Sequence, residues 1–180
     1  MSEQLNSPFA RLNDVPRFTV TSTDVAEGAP LALAQASGSM GISGGRDESP
    51  QLSWTDFPEE TKAFAVTCYD PDAPTGSGFW HWVVADIPGT VTELPTNAGN
   101  PAADLLPAGV SVFRNDAGEP RFVGAAPPAG HGPHRYFFIV HALSEPLNLP
   151  EDSSPAFVGF NIFFKSIGRA WLETTFEVEA

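Results

Sequence analysis

Two aspartates, two histidines and a tyrosine stand where stiff loops meet apolar strands in this chain. Asp70 and Asp72 lie in Asp70-Pro-Asp-Ala-Pro74, and His81 opens the next apolar run. His134 and Tyr136 follow the small-residue loop that ends in Gly130-His-Gly-Pro133. Imidazolium groups, a phenol hydroxyl and backbone N–H groups are the donors that a phosphoryl oxygen requires. A carboxylate beside them raises a histidine's pKa and holds its tautomer, and prolines form a wall that needs no reordering on binding. Other readings use the same residues. Carboxylates, histidines and a tyrosine can make a hydrolytic site, but no serine sits in a nucleophile elbow and Cys68 falls on an apolar strand face. Asp70, Asp72, His81 and His134 have metal-donor chemistry, yet no HxH, HExxH or CxxC spacing accompanies them, so no metal and no cofactor is expected. A polar turn that merely needs Pro and Asp also fits DPDAP.

The remaining titratable residues near these motifs are expected elsewhere. His131, in a glycine loop, is solvated or at a pocket rim. His141 and Arg135 alternate to the face opposite His134. The first reads as a core or interface histidine and the second as a strand anchor paired with an acid.

The elements that must position these groups are mostly strands. Ala63 to Tyr69 alternates, with Phe64, Val66 and Cys68 on one face and Ala65, Thr67 and Tyr69 on the other. Phe79 to Ile87 resumes the period of two, which places Trp80, Trp82 and Val84 together and His81, Val83 and Ala85 opposite. His134 to Leu143 is a third strand, too apolar for the surface. Shorter strands are expected at Phe18 to Ser22, Ala32 to Gln35 and Val110 to Phe113, and Ser49 to Trp54 leads into another that Phe57-Pro58 breaks. Residues 1–16 read as an arm, Gly38 to Pro50 as a glycine-rich connection, and Gly89 to Gly109 as a covering loop. Ser154 as N-cap and Pro155 at the first helical position start one helix, with apolar residues at helical spacing to about Ala170. Thr174 to Glu179 reads as a closing strand. Phe157, Val158, Ile162 and Phe164 widen that helix's apolar surface beyond one stripe, which suggests a contact between two copies of the chain.

Composition narrows the function classes. The 180 residues suit one domain, 1–180, and 16 glycines with 18 prolines favour a loop-rich β protein over a helical bundle. A formal charge of −13 disfavours nucleic acid and anionic membrane surfaces. Cys68 stands alone, so no intrachain disulfide can form. No stretch has the length of a membrane span and no signal-like start is seen, so the expected location is cytoplasmic.

Four ordered motifs carry a resemblance to a known family: Pro50-Gln-Leu-Ser-Trp54, Tyr69-Asp-Pro-Asp-Ala-Pro74, Gly78-Phe-Trp-His-Trp82 and Pro127-Pro-Ala-Gly-His-Gly-Pro-His-Arg-Tyr136. They resemble the phosphatidylethanolamine-binding proteins, the family of the Raf kinase inhibitor proteins and their bacterial homologues. The resemblance implies a mostly β fold, a large antiparallel sheet packed on a smaller one in Greek-key fashion, with few C-terminal helices. It implies a pocket for small anions such as a phospholipid's phosphoryl head group, at Asp70, Asp72, Pro74, His81, Ala126, Pro127, His134 and Tyr136. Within that set Asp72 shapes the loop, and the Ala73–Pro74 peptide is expected to be cis. Asp86 and Ala126 depart from the family's usual Asn and Gly. The C-terminal strand has no tyrosine, so the pocket is either more open or closed by another segment. The expectation is a non-enzymatic anion-binding protein, a homodimer with a protein kinase as partner, and the alternative is a phosphoester hydrolase using the same pocket.

Overall fold

Where the sequence alternates the chain forms strands, and where Gly and Pro interrupt it the chain turns. The computed structural model describes residues 7–180. In chain order the elements are β1 (Thr19–Thr21), β2 (Leu52–Thr55), β3 (Ala63–Asp70), β4 (Phe79–Pro88), β5 (Glu93–Leu94), β6 (Ser111–Val112), β7 (His134–Leu143), α1 (Pro155–Lys165) and β8 (Ser166–Phe176). They build two antiparallel sheets, a small one ordered β1-β2-β5 and a large one ordered β6-β4-β3-β7-β8. The architecture is mostly β, as expected.

The large sheet is buried on both faces. Its inner face packs Phe64, Val66, Cys68, Trp82, Phe138 and Val140 against Leu52, Trp54 and Leu94 of the small sheet. Its outer face packs Ala65, Val83, Ala85 and Leu143 under Val158 and Ile162 of α1. Two-sided burial explains why β3 and β7 read as near-continuous apolar runs. Residues 7–17 lie across the outer face, where Phe9 stacks at 4.3 Å on Trp171 and Arg169 N–H donates to the Pro16 carbonyl. That part of the expected arm therefore does contribute to packing; residues 1–6 lie outside the described residues.

Strict alternation fails in β4, and the site depends on that failure. Cys68 pairs with Trp82 and Tyr69 with Trp80, so His81 is an extra residue without an opposite partner. A bulge of this kind bends its strand and re-aims side chains. Trp80 moves to the outer face, against Tyr69 and the α1 side, and no longer shares a face with Trp82. His81 turns inward, 5.2 Å from the Tyr136 ring, and parts from Val83 and Ala85. A second irregularity lies between Phe64 and Val66, where Asp86 takes φ +60°. Its carboxylate accepts the N–H groups of Leu147 (2.6 Å) and Asn148 (3.2 Å) and the Ser111 hydroxyl (3.0 Å). The residue that departs from the family pattern thus ties three segments together.

Three boundaries differ from the sequence reading. The helix ends at Lys165, not near Ala170, because β7 captures the chain from Ser166 onward, with His141 opposite Arg169 and Val140 opposite Ala170. A longer helix would have left the outer edge of β7 with unpaired N–H and C=O groups. For the same reason the last strand is Ser166–Phe176 and stops before Glu179. Leu33–Gln35 is a short 3-10 turn instead of a strand, since only Ala36 finds a bridge partner, Ala125. Among the described residues no helix is long and apolar enough to cross a membrane.

Candidate functional site

Asp70 ends β3 with both carboxylate oxygens committed. Oδ1 accepts the N–H groups of Asp72 (2.7 Å) and Ala73 (3.0 Å), and Oδ2 accepts from His134 Nδ1 at 2.8 Å. This side-chain turn folds the DPDAP loop, and the Ala73–Pro74 peptide is trans, not cis. The aspartate already supplies the sharp reversal that a cis bond would otherwise provide. Because Asp70 takes the Nδ1 proton, His134 Nε2 is left to face His131 Nδ1, 2.6 Å away. Two hydrogen bonds, each with its own proton, therefore run in line from Asp70 through His134 to His131. His131 is exposed, as expected, and is the outer member of this relay.

His81 is buried, and its Nδ1 lies 2.9 Å from the Val123 carbonyl. A carbonyl only accepts, so Nδ1 carries the proton. Burial pushes the His81 pKa below the ordinary imidazole value, against the opposing pull of the Val123 carbonyl and Asp70. The ring is therefore neutral near pH 7 and Nε2 is a hydrogen-bond acceptor. The sequence reading had His81 as a protonated donor; its desolvation reverses that role. Tyr136 sits beside it, 1% exposed, with a hydroxyl that finds no acceptor within the described residues. Burial and the nearby Asp70 raise its pKa, so it stays a neutral O–H donor.

Asp70, Pro74, His81, Ala126, Pro127, His134 and Tyr136 line one cavity of about 150 Å³. Asp72 does not join them. Its carboxylate accepts from the backbone N–H of Arg135 (2.9 Å) and from Nε (2.8 Å) and Nη2 (2.7 Å) of the same residue. Burial alone would raise the Asp72 pKa, but these bonds and the guanidinium charge hold it below the usual carboxylate range. Asp72 is thus a loop brace that locks DPDAP to the start of β7, and Arg135 is anchored as its partner.

Sequence reasoning missed Met40, Thr75, Phe79 and Pro128, which complete the cavity wall. Met40 is the informative one, because it comes from the loop read as a flexible connection. Asp47 pins that loop by accepting N–H groups from Ser39 (3.0 Å) and Gly124 (2.7 Å). Its two arms touch so closely that a Cβ on Gly38 would lie 2.4 Å from the Gly45 carbonyl oxygen. The glycines there serve close packing, and the signal was the lone aspartate behind them. Contrary to the sequence expectation, Gly41-Ile-Ser-Gly-Gly45 does have nucleophile-elbow spacing, but Ser43 is exposed in a turn and does not line the cavity, so it supplies no nucleophile there. Cys68 is buried and its pKa is raised well above the usual value by desolvation, so it is an inert thiol. Among the described residues no group of three or more His, Cys, Asp or Glu is placed to hold a metal ion.

Comparison with known proteins adds an independent line. A family model described as phosphatidylethanolamine-binding protein matches residues 21–177. The chain is 45% identical over 163 residues to YbcL of Escherichia coli, covering 90% of this chain and 88% of that protein. It is also 45% identical over 156 residues to YbhB of the same organism, covering 86% of this chain and 97% of that protein. The crystal structure of E. coli YbcL, described as a new member of the mammalian PEBP family, superimposes with a TM-score of 0.87 at 44% identity, covering 91% of this chain and 99% of that one.

Proposed function

Because the chain belongs to the phosphatidylethanolamine-binding protein family, we propose that the Tyr136 cavity binds a small phosphorylated or otherwise anionic ligand, such as a phosphoryl head group. The observation that carries this reading is the internal use of Asp70. Both of its oxygens are spent on Asp72, Ala73 and His134, while the Tyr136 O–H has no acceptor. The negative charge is therefore compensated from within, and a free donor is left for a ligand oxygen. The neutral His81 Nε2 complements it as an acceptor, suited to a P–O–H group or to the ammonium of an ethanolamine head group. Rigid prolines at 74, 127 and 128 reduce the ordering cost of capture.

Calorimetry with phosphoethanolamine at pH 6 tests the reading. Tyr136→Phe should weaken binding by about 1.5–3 kcal/mol, the range for a hydrogen bond to a charged group. Affinity for a simple phosphate monoester should fall as pH rises above about 6, where the ester loses the proton that His81 accepts. Equal binding by wild type and Tyr136→Phe would overturn the assignment. The Asp70–His134–His131 relay favours phosphoester hydrolysis as the second reading, since a carboxylate-oriented imidazole is a general-base arrangement. Release of inorganic phosphate in the same titration would select it.

Three finer elements complete the proposal. The chain forms a symmetric homodimer through the exposed phenylalanines of α1. Capture of a phosphoryl group regulates a protein kinase partner, an extension that rests on the family alone. The setting is cytoplasmic, in keeping with a single buried, free cysteine.

A further inference from the structure

On the opposite face of the large sheet, a second cavity of about 420 Å³ lies between the sheet, α1 and residues 7–12. Its walls are largely apolar, and the rings of Tyr69, Trp80, Phe160 and Phe163 are part of them. The β4 bulge creates it by delivering Trp80 to this face, and Gly159 keeps it open. A Cβ on Gly159 would meet the Trp80 ring at 3.7 Å, so any larger side chain there enters the space.

Two polar groups break the apolar lining. His141 and Arg169 are direct cross-strand partners, 4% and 5% exposed, and both face this cavity. His141 Nδ1 and Arg169 Nε have no hydrogen-bond partner among the described residues. The rest of each group is occupied. His141 Nε2 lies 3.5 Å from Thr67 Oγ1, and the Arg169 Nη atoms reach the carbonyl (3.4 Å) and Oδ1 (3.2 Å) of Asn13. Both atoms are buried just beneath the lining of this cavity, and an orphaned buried polar atom costs its desolvation energy, so the pair implies a partner reached by a small shift of the lining. Among the described residues, Arg169 and the exposed Arg11 are the cations that line the cavity, and Asp14 acts on Arg169 from the arm. Burial, reinforced by Arg169, lowers His141 to a pKa of about 3, so it contributes a neutral ring.

We propose that this cavity is a second ligand site, separate from the phosphoryl pocket, that takes a compact arylcarboxylate. The flat apolar body lies among Trp80, Tyr69 and the α1 phenylalanines. The carboxylate accepts the Arg169 Nε–H and sits beside the His141 ring. One buried guanidinium in an aromatic cavity matches a single charge on an apolar body and does not match the hydration of a phosphate dianion.

The test uses the full chain and naphthalene-2-carboxylate as probe, followed through calorimetry, with the change in total tryptophan fluorescence as a second readout. Saturable binding is expected, with naphthalene-2-methanol weaker by about tenfold or more for loss of the charged acceptor. Gly159→Leu fills the cavity and should weaken the probe at least about tenfold. His141→Leu, which removes the ring nitrogens on the sheet, should weaken it too if Gly159→Leu disturbs folding. Saturating inorganic phosphate should leave the probe's affinity unchanged. The proposal is overturned if the acid and the alcohol bind equally, if both variants bind like wild type, if phosphate displaces the probe, or if no saturable binding occurs.

Discussion

Asp70 and His81 each reverse the role that their residue type suggests. An aspartate beside an anion pocket looks repulsive until its two oxygens are followed to Asp72, Ala73 and His134, none of which leaves it facing the cavity unpaired. A histidine in such a pocket looks cationic until its burial is weighed, and desolvation then makes His81 a neutral acceptor. His141 carries the same physics into stability. Its folded pKa is lowered to about 3 by burial and Arg169, whereas an unfolded histidine titrates near 6.5. Between those values the unfolded chain binds the extra proton, so stability rises with pH across that window and is lost as pH falls through it. Thermal melts of wild type should drop steadily from about pH 6.5 towards about pH 3. In His141→Leu that slope should be shallower. Parallel slopes in the two proteins would show that His141 is not buried in its neutral form.

The elements place these residues through two departures from regularity. A single extra residue in β4 sends His81 inward to Tyr136 and Trp80 outward to Tyr69, so one bulge furnishes both cavities. The second departure is the abrupt change from α1 to β8 at Ser166, which lets β7 keep a complete ladder on that side. The helix itself is capped at Ser154, whose hydroxyl accepts the Phe157 N–H, and buries Val158 and Ile162. What it leaves out is a row of rings: Phe157, Phe160 and Phe164 are 48, 59 and 68% exposed, with Phe157 stacked face to face on Phe160 and Phe164 meeting Phe160 edge to face. An apolar stripe of that kind is the usual core of a two-fold contact. Sedimentation at micromolar concentration should give a dimer for wild type and a monomer for Phe164→Glu. A monomeric wild-type mass would reject the contact and leave the stripe bare.

At the scale of the whole molecule, one hydrophobic cluster runs through both sheets, with Leu52, Trp54 and Leu94 from the small one and Phe64, Trp82 and Phe138 from the large one. Neither sheet could bury its apolar face without the other. We therefore propose that 1–180 unfolds as one domain, with far-ultraviolet circular dichroism and tryptophan fluorescence tracing a single transition. Since no metal cluster is assembled among the described residues, chelator should leave the midpoint unchanged. Two separated transitions would divide the domain, and a chelator-induced fall would restore the metal reading of Asp70, Asp72, His81 and His134.

Much of this was legible in the chain itself. Period-two runs separated by Pro and Gly specify β3, β4 and β7, and a Ser-Pro start specifies α1, because these signals are local and concern a few bonds each. The DPDAP and PPAGHGPHRY motifs mark the two loops that meet at the cavity. Tertiary contact decided the rest. No local preference places the extra residue of β4 at His81; it follows from holding two registers with β3 at once. Ile167 and Ala170 fit a helical stripe as well as a strand, and only the unpaired edge of β7 chose between them. Asp72 and Asp70 are equivalent on paper, and Arg135 draws one of them away while His134 keeps the other. Protonation state is likewise a property of surroundings, since burial arises from every element packed around a ring and belongs to no single stretch of sequence.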